Sequence, residues 1–92
     1  MKTIKDLVQN DTIYVLGGDG KVTTTKVTLI GSNYEVGRRL FLACGGAYSL
    51  YINDEWWCNN AGDLFFCSKE RMLAEVSRQI KITENKLKNL KA

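Results

Sequence analysis

Hydrophobic side chains recur in five short segments of the chain, separated by glycine-rich or polar breaks. The segments, which are rich in β-branched and aromatic residues, are 12–16, 21–30, 38–44, 47–52 and 63–67. Each has the length of a strand, and such closely spaced short strands are typical of small all-β bodies. The pattern therefore predicts five antiparallel strands.

The breaks have the composition of turns. Residues 17–20 contain three glycines and residues 45–46 are a Gly-Gly pair, which allows positive φ at little steric cost. In the second segment, Val27 and Leu29 alternate with polar neighbours, which predicts that both face the core. Residues 53–62, rich in Asn, Asp and Gly, are predicted to form a loop.

Both ends of the chain carry helix signals. Thr3 followed by Asp6 is typical of a short helical turn. Ser68 is a preferred N-cap, Glu70 lies in the first turn after it, and nothing interrupts a helix from there to about Leu90. A helix of about 22 residues is ~33 Å long at 1.5 Å per residue. It is expected to overhang a small barrel.

Six residues of the predicted helix follow the spacing of a coiled-coil seam, 3, 4, 3, 4 and 3. They are Leu73, Val76, Ile80, Thr83, Leu87 and Leu90. A helix that packs on the barrel of its own chain would show a similar apolar stripe. The overhanging turns, however, need another surface to cover them. We expect self-association, by paired helices or by exchange between subunits.

These elements predict an α+β protein, in which a small five-stranded antiparallel, partly open β-barrel of SH3-like or OB-like type precedes a long C-terminal α-helix. An antiparallel sheet with one helix laid across it is the alternative. Residues 1–68 form the β-rich body. Residues 69–92 form the helix, either within the same domain or as an oligomerisation element. A chain of 92 residues has room for one domain.

Composition narrows the class of protein. The hydrophobic fraction of 45% and the charged fraction of 25% are ordinary globular values. The sequence shows neither a signal-peptide pattern nor an apolar run of membrane length, so we expect a cytoplasmic location in a bacterial cell or a phage-infected host. The three cysteines, Cys44, Cys58 and Cys67, have no C-x-x-C spacing and are predicted to be reduced.

The net charge of +3 is unevenly distributed. Residues 1–68 carry six basic and seven acidic side chains, which gives −1, and residues 69–92 carry seven basic and three acidic ones, which gives +4. A basic helix beside aromatic strands keeps nucleic-acid binding open as an alternative function.

The side chains needed for catalysis are sparse. The chain has no histidine, so the most common general base is missing and neither a Cys-His nor a Ser-His pair can form. Asp54 and Glu55 are adjacent, so on extended chain they point to opposite sides. Residues 17–20 lack the ending of a phosphate-binding loop. We expect no enzyme activity, no metal and no cofactor.

The adjacent Trp56 and Trp57 are the most informative feature of the body. On extended chain they face opposite ways, so one indole can enter the core while the other stays exposed and anchors a partner. The alternative is that both cover the open end of the barrel.

The predicted binding residues combine aromatic rings with the one basic doublet of the body, and Tyr34 could widen the surface that they form. They are Trp56, Trp57, Tyr48, Tyr51, Arg38 and Arg39. We expect a non-enzymatic binding module that acts as a homo-oligomer on a host protein or on a small anionic ligand such as a signalling nucleotide.

The two ends of the body resemble small β-barrel accessory proteins of phages and bacterial mobile elements. Residues 4–16, IKDLVQNDTIYVL, are similar to their opening, in which an IKDL turn leads through a (G)DT-x-Y corner into the first strand. Asn10 stands where that pattern usually has glycine. Residues 65–70, FFCSKE, resemble their closing strand and lysine-rich helix. The resemblance implies an accessory role of anti-defence type and implies no site residues.

Overall fold

The computed structural model describes residues 2–33 and 37–91, with Asn33 and residues 83–91 described at the backbone level only. The elements in chain order are a 3₁₀ turn Ile4–Asp6, β1 Thr12–Leu16, β2 Val22–Asn33, β3 Gly37–Leu42, β4 Ala47–Tyr51, β5 Trp56–Cys58, β6 Leu64–Phe66 and α1 Lys69–Lys91. All five predicted strands and the C-terminal helix are present.

The six strands form one antiparallel sheet in the order β4-β3-β2-β1-β6-β5. The sheet curls into a nearly closed barrel, so that its two terminal strands come close together. The ring centroids of Tyr48 on β4 and Trp57 on β5 are 5.8 Å apart. The prediction of a small antiparallel β-barrel followed by a long helix is confirmed at this level.

The predicted strand count was one too low. Trp56, Trp57 and Cys58 form β5, which pairs with Phe66, Phe65 and Leu64 of β6. These three residues favour strands, but the turn-forming residues on both sides of them made the whole of 53–62 look like a loop. Pairing with β6 supplies the stability that a three-residue strand lacks alone.

A β-bulge in β2 reverses the predicted orientation of Leu29. Val27 lies opposite Leu42, and Leu29 lies opposite Phe41. Thr28 is therefore an extra residue in the ladder, and it shifts the alternation of side chains by one. Leu29 is 57% exposed whereas Val27 is fully buried. The prediction that both residues face the core was wrong for Leu29.

Two hydrophobic clusters stabilise the fold. The larger one fills the barrel and consists of Ile4, Leu7, Ile13, Val27, Leu40, Leu42, Leu50, Trp57, Phe65 and Cys67. The smaller one, of Leu16, Phe66 and Met72, lies on the outer side of β1 and β6 beneath α1. The inner and outer faces of these two strands are thus both covered.

The N-terminal segment closes one end of the barrel. The carboxylate of Asp6 accepts hydrogen bonds from the N–H and the hydroxyl of Thr3, each at 3.0 Å, which lowers the pKa of Asp6. The predicted turn is therefore present. Asn10 has a φ of 73°, a left-handed conformation that glycine adopts freely and asparagine tolerates. Asparagine can therefore replace the glycine that the resembling proteins usually have there.

The helix α1 crosses the outer face of the barrel and continues past it. The hydroxyl of Ser68 accepts a hydrogen bond from the N–H of Arg71 at 3.3 Å, as an N-cap does. Gln79 lies beside Gly18 and Gly62 in the turns at the far end of the barrel. The twelve residues beyond it add ~18 Å of helix, and the long dimension of the molecule is 52 Å. Within the described part of the chain, no helix combines the length and the apolar character needed to cross a membrane.

Replacing the helix cap should lower stability more than a matched change inside the helix. Ser68→Ala removes the acceptor at the N-terminus and should lower the free energy of unfolding by about 1 kcal/mol. Ser77→Ala changes an exposed helical serine, so it should leave stability equal or raise it by a few tenths of a kcal/mol. Urea denaturation followed by circular dichroism measures both. Equal losses in the two variants would contradict the capping role.

Candidate binding surface

Two of the predicted binding residues lie inside the barrel. Trp57 is 6% exposed and stacks on Phe65 at a centroid distance of 5.4 Å and an interplanar angle of 6°. Tyr48 is half-buried and tilts against both rings, at 5.8 Å and 5.3 Å. These three rings form the part of the core between β4, β5 and β6.

Trp56 faces the opposite way. Its side chain is 42% exposed and stacks on Phe66 at 6.4 Å, and Phe66 is itself covered by α1. Of the two alternatives, the structure shows the one with one indole in the core and one at the surface. The contact with Phe66 holds the exposed indole in place, which reduces the entropy lost when a partner packs on it.

Arg38 is already engaged by the protein backbone. Its guanidinium Nη1 donates to the carbonyl oxygens of Ile4 at 3.2 Å and Leu7 at 3.0 Å. These bonds attach the N-terminal 3₁₀ turn to β3. The side chain of this predicted binding residue thus has a structural partner within the protein.

Arg39 and Tyr51 lie on the outer face of the sheet. Arg39 is exposed, donates to the hydroxyl of Ser49 at 3.0 Å and places its guanidinium carbon 5.6 Å from the ring centroid of Phe41. Tyr51, at the end of β4, is 61% exposed. Arg39 and Tyr51 therefore share the outer face of the sheet, away from the indole of Trp57, which lies in the core. Tyr34 lies outside the described residues.

The open cleft along β5 is the most promising binding surface. It has a volume of about 560 Å³ and is lined by the consecutive residues 53–58, which we call the edge surface. The turn before it is fixed on both sides, since the N–H of Asp54 donates to Tyr51 and the carbonyls of Ile52 and Asp54 accept from the N-terminal turn. The surface is therefore shaped before any partner arrives.

The charge of the edge surface is acidic. Glu55 pairs with Arg71 of α1, with Nε and Oε2 3.3 Å apart. Within the described part of the chain, the carboxylate of Asp54 has neither an ion pair nor a hydrogen bond. An uncompensated carboxylate next to an exposed indole favours a cationic partner and disfavours a small anion.

A second cleft, of about 320 Å³, lies at the other end of the barrel between the β3–β4 and β5–β6 turns. Its polar residues already stabilise those turns. Asp63 accepts hydrogen bonds from the N–H of Gly18 and the amide of Asn59, and Asn59 accepts from the N–H of Asp63. The side chains of Asp63 and Asn59 in this cleft are therefore already paired within the protein.

The helix exposes part of its predicted seam. Leu73 and Ile80 are 50% and 54% exposed, and Val76 is half-buried against the smaller cluster. The barrel side of the helix instead buries Met72 and Glu75. The side chains of the other three seam residues, Thr83, Leu87 and Leu90, lie outside those that the structure describes.

The thiols do not form a site. Cys44 and Cys58 are exposed, and Cys67 is buried. Burial raises the pKa of the Cys67 thiol to about 12, so it stays protonated and unreactive near neutral pH. In the described residues, no group of three His, Cys, Asp or Glu side chains could hold a metal ion.

Comparison of the chain with protein-family models, with curated proteins and with solved structures found no match. The resemblance to phage accessory proteins therefore stays a prediction from the sequence pattern. The surfaces of the described residues that expose anchoring side chains are the edge surface, the outer sheet face and the exposed side of the helix.

The two arginines of β3 should respond differently to replacement. Arg38→Met removes the two hydrogen bonds that the charged guanidinium donates to the backbone carbonyls of Ile4 and Leu7. It should lower the free energy of unfolding by about 2 kcal/mol. Arg39→Met removes a hydrogen bond to Ser49 and a cation–π contact with Phe41, both made by an exposed side chain, and should change it by at most about 1 kcal/mol. Urea denaturation of both variants tests this. A larger loss for Arg39 than for Arg38 would refute the structural assignment.

Alkylation should distinguish the buried thiol from the exposed ones. Iodoacetamide at pH 8 should modify Cys44 and Cys58 in the native protein and leave Cys67 unmodified, because Cys67 is 2% exposed and its pKa is about 12. Intact mass spectrometry should show two adducts on the native chain and three after denaturation in guanidinium chloride. Rapid modification of Cys67 in the native state would show that this end of the core opens.

Proposed function

We propose that this chain is a non-enzymatic binding module that self-associates through α1 and presents the edge surface of its barrel to a protein partner. The observation that carries the proposal is the exposure of interface-forming side chains on two separate surfaces, Trp56 on the barrel and Leu73 and Ile80 on the helix. Aromatic and aliphatic anchors of this kind dominate the energy of protein interfaces.

The division of the helix into two sides supports self-association. One side packs on the barrel through Met72 and Val76, while Leu73 and Ile80, seven residues apart, stay exposed on a neighbouring side. Glu75 accepts a hydrogen bond from Arg78 at 3.0 Å, which holds the pKa of its carboxyl below the usual range. Because Glu75 lies on the barrel side of the helix, the exposed apolar stripe is separate from this ion pair.

A protein partner fits the edge surface better than a small anion. The predicted aromatic and arginine residues lie in separate places, and the cleft that contains the exposed indole is lined by residues 53–58, which include no arginine. Nucleic acid also receives less support, because Arg71 and Arg78 of the basic helix form ion pairs with Glu55 and Glu75. The accessory role of phage or mobile-element type belongs to the proposal through the sequence pattern alone.

Self-association should depend on the exposed helix stripe. Ile80→Asp places a charge in the proposed helix interface and should convert the oligomer to a monomer of 10.4 kDa. Size-exclusion chromatography with light scattering, at several protein concentrations, measures the mass. The wild-type chain should elute at a multiple of that mass.

Ile82→Asp is the matched control. Ile82 is 40% exposed on the same helix, but two residues along an α-helix is a rotation of about 200°, so it lies away from the stripe. This variant should keep the mass of the wild type. A wild-type chain that is monomeric at every concentration, or an equal effect of both substitutions, would refute the self-association part of the proposal.

A further inference from the structure

Strand β5 is a terminal strand of the sheet, and its backbone polar groups alternate between two directions. The N–H of Cys67 donates to the carbonyl of Glu55 at 3.0 Å, and the N–H of Asn59 donates to the carbonyl of Asp63 at 3.1 Å. In an antiparallel pair, residues that exchange hydrogen bonds alternate with residues that do not. Glu55, Trp57 and Asn59 therefore direct their backbone groups towards β6.

Trp56 and Cys58 direct their backbone N–H and C=O groups the other way, towards the free side of β5. Among the described residues, no backbone group bonds to them there. Proteins usually protect such an edge by keeping the strand very short or by placing lysine, proline or an inward-pointing charge on it. Of these protections, β5 has its short length of three residues. The chain has no proline, and β5 carries only two tryptophans and a cysteine. This edge therefore keeps its capacity to pair with another strand.

The side chains along the edge define what could pair with it. Trp56 offers an indole that is already packed on Phe66, and aromatic residues contribute most when they face an aliphatic or β-branched residue across strands. Asp54 adds a carboxylate that has no ion pair among the described residues. The carboxylate of Glu55 pairs with Arg71, which also pairs with Glu75. A strand lying along residues 53–58 would therefore meet one indole and an excess of negative charge.

We infer that the edge surface binds an extended, basic peptide segment of a partner protein, which adds to the barrel as a seventh strand beside β5. The inference rests on the proposed function and specifies its partner. Backbone hydrogen bonds to Trp56 and Cys58 hold the segment, a β-branched residue packs on the indole of Trp56, and a lysine or arginine pairs with Asp54. The charge excludes acidic segments.

A synthetic peptide tests the inference without knowledge of the natural partner. The probe is the fluorescein-labelled heptapeptide Thr-Val-Lys-Val-Thr-Val-Lys, and fluorescence anisotropy measures its affinity for the full chain. The matched control is the same peptide with its four central amides N-methylated, which keeps the charge and the side chains but removes the backbone donors on both edges. The control should bind at least about tenfold more weakly.

Variants of the chain locate the binding. Cys58→Pro removes the outward N–H while the ladder to β6 keeps its bonds, and proline is tolerated on edge strands. It should weaken binding of the heptapeptide about tenfold, whereas Cys58→Ser, which keeps the N–H, should bind as the wild type does. Asp54→Asn should weaken binding about threefold. Hydrogen exchange followed by NMR should show the amides of Trp56 and Cys58 protected by the peptide in the wild-type chain.

Several outcomes would overturn the inference. Equal binding of the N-methylated peptide, or no binding of the heptapeptide at all, would exclude strand addition, while the effect of Ile80→Asp on mass would still decide self-association separately. Preference for a peptide with glutamate in place of lysine would exclude the basic partner. Loss of the oligomer in Cys58→Pro would show that this edge joins two copies of the chain, and the partner segment would then be excluded.

Discussion

The pairing of β6 with β1 is the constraint on which the rest of the structure depends. Tyr14, Val15 and Leu16 pair with Phe66, Phe65 and Leu64 across about fifty residues of chain. This contact brings the last strand beside the first, so the sheet curls into a barrel and β5 becomes a terminal strand. It also gives α1, which directly follows β6, the outer face of the same two strands to pack on.

Both proposed surfaces are consequences of that pairing. Because the helix starts at one end of β6 and runs across the barrel, its first three turns bury Met72 and its remaining turns extend past the structure beneath it. Because β6 uses one side of β5, the other side has no strand hydrogen-bonded to it among the described residues. A protein this small buries little core on its own, and surfaces of this kind can supply stability and recognition together.

Rigidity of the edge surface follows from contacts made elsewhere. The N-terminal turn donates backbone hydrogen bonds to Ile52 and Asp54, and Arg38 attaches that turn to β3. Trp56 leans on Phe66, which α1 covers. An edge held from three directions loses little entropy when a partner strand adds to it, so even a short contact can bind.

The sequence by itself determined the local elements. Strand propensity, glycine turns and the Ser68 cap are signals within a few residues, and they predicted five of six strands and the helix. For the two indoles they left two alternatives open, opposite orientations or a shared position over the open end of the barrel. Tertiary structure decided the rest. The bulge that exposes Leu29 depends on the register with β3. Strand β5 depends on its pairing with β6, and Arg38 donates to carbonyls that are 34 and 31 residues away in the chain. Such features arise from distant contacts, and no local pattern encodes them.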